Sequence, residues 1–187
     1  MLIFKTFFNL QVEGLQNLPP TNFIIISNHV SFLDVPAYMV ALPKRTYVVA
    51  ARFLYDIFWI RWLLSLTKSG IPTGGASDKA LQLLEKNEIV GLFPEGGISA
   101  DGKLKEFRTG ASLLAYKSGR PIVPAAILGT YKALPLGARF PRRASIKIKI
   151  GKPVYVPKQF EEKVDDVYLQ TVTLKLRSIV QELIDAG

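Results

Sequence analysis

Short runs of β-branched and aromatic residues recur along this chain, and segments of helical pattern separate them. Two of the runs, "IIIS" within Phe23–Ser27 and "IVGLF" at Ile89–Phe93, are apolar from end to end. A strand with one wet face alternates apolar and polar residues, so a continuous apolar run predicts a strand buried on both faces. Further strands are expected near Phe7–Val12, Thr46–Val49, Ile122–Ile127 and Ser145–Ile150. Helices are expected near Val35–Leu42, Phe53–Leu66, Ser77–Lys86, Gly110–Ser118 and Val164–Ile184. The last has apolar positions at near-helical spacing from Val164 to Leu183. This alternation points to an α/β fold, a mixed and largely parallel central sheet with helices on both faces. The chain has 187 residues, without repeats or low-complexity linkers, so residues 1–187 read as a single domain.

Composition narrows the function classes. There is no cysteine, which removes disulfides, thiol catalysis and thiolate metal sites. One histidine with no cysteine argues against a dedicated zinc site, so no metal is expected. The net charge of +9 suits an anionic membrane, a phosphorylated substrate or nucleic acid. Nucleic acid is disfavoured, because the aromatic residues cluster with aliphatic ones and no interleaved basic-aromatic motif occurs. Hydrophobic residues make up 49% of the chain, which suggests apolar surface shared with a partner such as lipid.

No segment is a clean membrane span, and "MLIFKTFFNLQ" lacks the features of a signal peptide. The nearest approach to a span, Phe53–Leu66, is interrupted by Asp56, Arg61 and Ser65. It reads either as a core helix or as an interfacial helix with Trp59 and Trp62 at headgroup depth. A second candidate for membrane contact is Arg139–Lys152, which holds six cations and no acid. In its "SIKIKI" stretch, isoleucine and lysine alternate to give one apolar and one basic face.

In α/β sheets, reactive groups tend to lie beyond the carboxyl ends of strands. Two polar stretches follow strands in that way. The first, "SNHVSFLD", contains His29 and, five residues on, Asp34. A carboxylate held against one ring nitrogen leaves the other basic, which is the arrangement of a general base. Asn28 and Ser31 are small polar residues able to fix that loop. Asp34 also precedes "VPA", so it reads as a helix N-cap with proline in the first turn. A loop histidine donating to a nearby carbonyl is the alternative. The second stretch, "LFPEGGISADG", puts Glu95 before Gly96 and Gly97, which allow positive φ and close backbone approach. Lys103, Lys105 and Arg108 follow and could bind phosphate. A solvated turn beside solvated cations is the alternative.

These stretches, in this order, resemble the glycerolipid acyltransferases. "NHVSFLD" is similar to that family's asparagine-histidine, four-spacer, aspartate box, and "FPEGG" to its phenylalanine-proline-glutamate-glycine box. "GRPIVPAAILGT" resembles its proline-containing strand, with Pro124 in the matching place, and "IKIKIGKPV" the strand and Gly-x-Pro that follow. The resemblance implies a glycerol-3-phosphate acyltransferase-like fold and an enzyme most like the 1-acylglycerol-3-phosphate acyltransferases. It implies acyl transfer from acyl-CoA or acyl carrier protein to a lysophospholipid hydroxyl, with no other cofactor. His29 would take the hydroxyl proton, Asp34 would steer the imidazole, and Glu95 would orient the acceptor. Asn28, Ser31, Gly96, Gly97, Lys105 and Arg108 would line the substrate site. Peripheral contact with an anionic membrane, at the cytoplasmic face, completes the expectation.

The pattern departs from the family at two arginines. Thr73, Gly74 and Gly75 stand where one is expected, and the third box runs Glu95-Gly96-Gly97-Ile98 instead of ending in the other. Lys79, Lys105 or Arg108 could supply the charge. Otherwise the acceptor is a different lysolipid, such as a lyso-ornithine lipid or a glycolipid. A non-catalytic lipid-binding relative is a further alternative, although such a relative would be expected to lose His29 or Asp34. A lipase or thioesterase would normally need an activated serine, and no G-x-S-x-G occurs.

Overall fold

A computed structural model describes residues 2–50, 70–72, 75–157 and 165–187. The expected helix Phe53–Leu66, the positions Thr73 and Gly74, and Val164 lie outside these residues.

Among the described residues, seven strands form one sheet: β1 Gln11–Glu13, β2 Ile24–Ser27, β3 Thr46–Ala50, β4 Gly70–Pro72, β5 Ile89–Leu92, β6 Ile122–Leu128 and β7 Lys147–Ile150. Their spatial order is β1-β7-β6-β2-β5-β3-β4. Among these seven strands only the β6–β7 pair is antiparallel; every other neighbouring pair is parallel. The mixed, mainly parallel α/β sheet expected from the sequence is therefore present.

The all-apolar runs occupy the middle of the sheet for the reason their composition gives. Ile24, Ile25 and Ile26 are each 0% exposed. Successive side chains of a strand leave on opposite faces, and the core divides accordingly. Ile24 and Ile26 pack with Val90, Leu114, Leu169, Leu176 and Val180, under the helices Gly110–Ser118 and Asp166–Asp185. Ile25 packs on the other face with Phe8, Phe23, Ala37, Tyr38 and Ile148, under the helix Asp34–Ala41. Helices thus cover both faces. Pro124 is tolerated within β6 because a strand residue's N–H and C=O point the same way. Its carbonyl accepts Gly151 N–H at 2.8 Å, so the missing donor faces the end of the β7 ladder and spares β2.

Three expectations change. The first strand is Gln11–Glu13, not Phe7–Val12, and a helix Leu2–Thr6 precedes it. Phe4 and Phe8 sit four residues apart with rings 5.2 Å apart, a helix-type pairing that the sequence pattern did not separate from a strand. β4 is too short to show periodicity. In β7 the apolar face of "IKIKI" is core: Ile146, Ile148 and Ile150 are buried. The opposite face stays partly exposed, with Lys147 3.5 Å from Glu13 and Lys149 Nζ donating to the Ala186 carbonyl at 2.8 Å. Among the described helices none is long and apolar enough to cross a membrane.

Candidate active site

β2, β5 and β6 are parallel, so their carboxyl ends lie together at one end of the sheet. His29 follows β2 and Glu95 follows β5. The loop carrying His29 is held by its neighbours. The Asn28 side-chain amide donates to the Ile127 carbonyl at 2.9 Å, and its oxygen accepts Ile127 N–H at 2.8 Å. A side chain therefore extends the β2–β6 ladder by one rung, and fixes where the chain leaves the sheet. The Ser31 hydroxyl donates to the Leu134 carbonyl at 2.7 Å and accepts Leu33 N–H at 3.1 Å. The His29 carbonyl accepts Ser99 N–H at 2.7 Å.

Asp34 is fully buried and lies 2.9 Å, through Oδ2, from His29 Nδ1. The same oxygen accepts Val30 N–H at 2.8 Å and Ser31 N–H at 2.9 Å. Three donors converge on one carboxylate oxygen, which fixes the loop as a turn around Asp34. This corrects the N-cap reading. Asp34 is the first residue of the helix Asp34–Ala41, Leu33 occupies the cap position, and no side chain caps the helix. The carboxylate serves the loop before the helix, not the helix's own N–H groups. With Nδ1 donating to Asp34, the hydrogen is placed there and Nε2 keeps its lone pair. The ring is stacked on Phe93, with centroids 4.0 Å apart and planes inclined by 19°. One acceptor and one aromatic face thus set both the position and the tilt of the imidazole. Its side chain remains 13% exposed.

Glu95 is 6% exposed, which removes the solvated-turn alternative. Oε1 accepts His29 N–H at 2.7 Å and Oε2 accepts Lys105 N–H at 3.0 Å. One carboxylate ties the histidine loop to the basic loop that follows β5. Burial pushes the Glu95 carboxyl above the usual carboxylate range, and the N–H groups of Lys105 and His29 pull it part of the way back.

Gly96 has φ +73, a conformation in which a side chain is strained, and a Cβ there would lie 2.7 Å from Arg108 Nε. The Arg108 guanidinium therefore lies directly against this glycine. Arg108 N–H donates to the Pro94 carbonyl at 2.9 Å, and Lys105 Nζ donates to the Ile98 carbonyl at 3.3 Å. Two cations thus border the Glu95–Gly97 turn. Gly97 is half-buried, with nothing within 4 Å of an added Cβ. Lys79 is exposed on the helix Ala76–Glu85 and Lys103 is exposed in the loop after the turn. A cavity of about 450 Å³ opens beside the histidine loop, bounded by Asn28, Val30, Lys103, Leu104, Tyr131 and Ile184. Neither His29 nor Glu95 borders it. Among the described residues no group of three histidine, aspartate or glutamate side chains is placed to hold a metal.

Two parts of this arrangement had no assigned role in the sequence. Phe93 was read only as the end of a strand and the start of "FPEGG", yet it carries the ring. Ile127 and Leu134, which anchor the histidine loop, lie about a hundred residues from it and bear no chemical signature.

The profile of the family described as "Acyltransferase" matches residues 9–128. The chain is 32% identical over 159 residues to the chloroplastic 1-acyl-sn-glycerol-3-phosphate acyltransferase LPAT1 of Arabidopsis thaliana, covering 80% of this chain and 44% of that protein. It is 30% identical over 146 residues to the human 1-acyl-sn-glycerol-3-phosphate acyltransferase alpha, covering 71% of this chain and 50% of that one. This chain thus spans about half the length of these relatives. The crystal structure of the 1-acyl-sn-glycerophosphate acyltransferase PlsC from Thermotoga maritima superposes with a TM-score of 0.70 at 28% identity, covering 93% of this chain and 71% of that one.

Proposed function

Because this chain belongs to the acyltransferase family, we propose that it transfers a fatty acyl group from a thioester to the free hydroxyl of a lysophospholipid. The thioester is on coenzyme A or acyl carrier protein, and the acceptor is 1-acylglycerol-3-phosphate, giving phosphatidic acid. The observation that carries this reading is the contact between His29 Nδ1 and the buried Asp34 carboxylate at the carboxyl ends of β2 and β5.

In the proposed reaction, Nε2 of His29 takes the hydroxyl proton as the oxygen attacks the thioester carbonyl. The resulting imidazolium is stabilised by Asp34. The tetrahedral adduct collapses by breaking its C–S bond, and the departing thiolate takes the proton back from His29. The products are an ester and a free thiol, and no acyl-enzyme is formed. A positioned base of this kind contributes ~10²–10⁴-fold. Glu95 holds the histidine loop at a fixed distance from Lys105, and so acts on acceptor placement through position. Arg108 and Lys105 take the acceptor phosphate, in place of the family arginines missing at Thr73–Gly75 and at Ile98. The protein works at the cytoplasmic surface of an anionic membrane, where such acceptors reside.

A second reading rests on those same departures, because a chain without the two arginines also suits a lysolipid whose headgroup is not a terminal phosphate. One experiment separates the two. The protein is incubated with labelled acyl-CoA and acyl carrier protein thioesters and a panel of lysolipids, and products are identified by mass. We expect phosphatidic acid to form and His29→Ala to abolish it. A His29→Ala turnover near wild type would remove His29 from the mechanism, and transfer only to a non-phosphatidate acceptor would establish the second reading.

A further inference from the structure

The connection between β6 and β7 spans residues 129–146. β6 runs parallel to β2 and β5, and β7 runs back against β6, so this connection lies at the same end of the sheet as His29 and Glu95. Its shape is closed at the base, where Arg142 N–H donates to the Ala133 carbonyl at 2.7 Å. Within it, Ala138 N–H donates to the Pro135 carbonyl at 3.0 Å. The third residue of that turn is Gly137, at φ +89, which places Leu136 at the tip.

The side chains on this loop are unusual for a surface. Phe140 is 76% exposed and Leu136 is 46% exposed. Lys132, Arg139, Arg142 and Arg143 flank them in the chain, all exposed. No aspartate or glutamate occurs between Thr130 and Phe160. Among the described residues, none of the three arginines is in an ion pair. Exposed apolar residues interspersed with cations match the headgroup layer of an anionic bilayer, which accepts apolar groups and attracts positive charge. A nucleic acid would pair with the cations and leave the apolar tips unused.

We propose that the Leu134–Arg143 loop docks this protein on an anionic lipid surface and thereby turns the His29 end of the sheet toward the bilayer. Leu136 and Phe140 enter the headgroup layer, and Arg139, Arg142 and Arg143 contact lipid phosphates. The link to the histidine loop is direct. Leu134, at the root of the loop, accepts the Ser31 hydroxyl at 2.7 Å, and Ser31 N–H is one of the donors held by Asp34. The inference rests on the proposed function only in supposing that the acceptor lies in such a surface.

The test is co-sedimentation with vesicles of phosphatidylglycerol and phosphatidylcholine, and with phosphatidylcholine alone. Wild type should partition onto the anionic vesicles. The R139Q/R142Q/R143Q variant should lose about a hundredfold in partition, the equivalent of ~1 kcal/mol for each arginine. F140E should lose at least about tenfold, an exposed apolar contact being replaced by a charge of the wrong sign. The arginine-to-lysine triple variant should retain binding, and thermal melts of all variants should match wild type. Should F140E melt early, the arginine variants decide the matter. Transfer to a vesicle-borne acceptor should fall in step with partition, while transfer to a short-chain acceptor below its micelle concentration stays unchanged.

Partition of the loop variants equal to wild type would overturn the proposal. So would equal wild-type binding to neutral vesicles, or a loop dependence seen only with RNA oligonucleotides. Loop-dependent vesicle binding without acyl transfer would sink the catalytic reading and leave the docking loop standing.

Discussion

Replacing Asp34 by asparagine keeps the shape of the side chain and removes its charge. The asparagine oxygen can occupy the place of Oδ2, where three donors converge: His29 Nδ1, Val30 N–H and Ser31 N–H. Its NH₂ then replaces Oδ1, which is buried without a hydrogen-bond partner among the described residues. An unpaired buried donor costs ~1–3 kcal/mol. Three hydrogen bonds also lose their charge assistance, at roughly 1 kcal/mol each, partly offset by no longer burying a charge. The net loss is about 2–4 kcal/mol. For a domain of this size each kcal/mol corresponds to roughly 2–4 °C, so the melting temperature should fall by about 5–15 °C. The effect on catalysis is separate. Nδ1 still has an acceptor, but the imidazolium formed when the hydroxyl proton is taken loses its carboxylate. Of the ~10²–10⁴-fold that a positioned base supplies, the larger part should vanish from kcat. The KM for the thioester should move by less than about threefold, because Asp34 does not touch the donor in the proposed reaction. The assay is a thiol-release time course at a temperature where circular dichroism shows the variant folded. A folded variant with kcat within about twofold of wild type would refute the assignment, leaving Asp34 as a structural residue of the loop.

Glu95→Gln should change the pH dependence of stability. Burial holds the Glu95 carboxyl above the usual carboxylate range, so the folded state binds its proton more tightly than the unfolded chain. Stability from this group is present below the unfolded value and is lost as pH rises through the folded one. Chemical denaturation between about pH 4 and 7 should show that decline in wild type and a flatter course in the variant; parallel profiles would refute it. Gly96→Ala should cost roughly 1–3 kcal/mol through its positive φ, and its Cβ would displace the Arg108 guanidinium. The acceptor KM for a phosphate lysolipid should then rise about tenfold with the thioester KM unchanged, which steady-state kinetics with each substrate varied will test. Arg108→Gln should reproduce that rise without the stability loss; an unchanged acceptor KM would show that Arg108 does not bind the phosphate.

The sequence by itself determined the sheet and singled out His29 and Asp34 as a candidate pair, which the fold brings to 2.9 Å. An apolar run such as "IIIS" leaves few options: buried on both faces, it must lie inside a sheet covered by helices, and Ile24–Ile26 do. The five-residue spacing of His29 and Asp34 was legible because a single tight loop can close it. Only the tertiary structure decided what fixes that pair. Glu95 lies 66 residues from the backbone N–H of His29 that it accepts, and Ile127 lies 99 from Asn28. Such contacts are made by strands that are neighbours in space and far apart in the chain, and no local periodicity encodes them. The same holds for Asp34, where helix propensity pointed to a cap and three loop donors claimed the carboxylate first. It holds for "SIKIKI" as well: alternation established that one face was apolar, and only the packing of the sheet showed that this face was core. The surface we propose for a membrane is the loop before it, where Phe140 is 76% exposed.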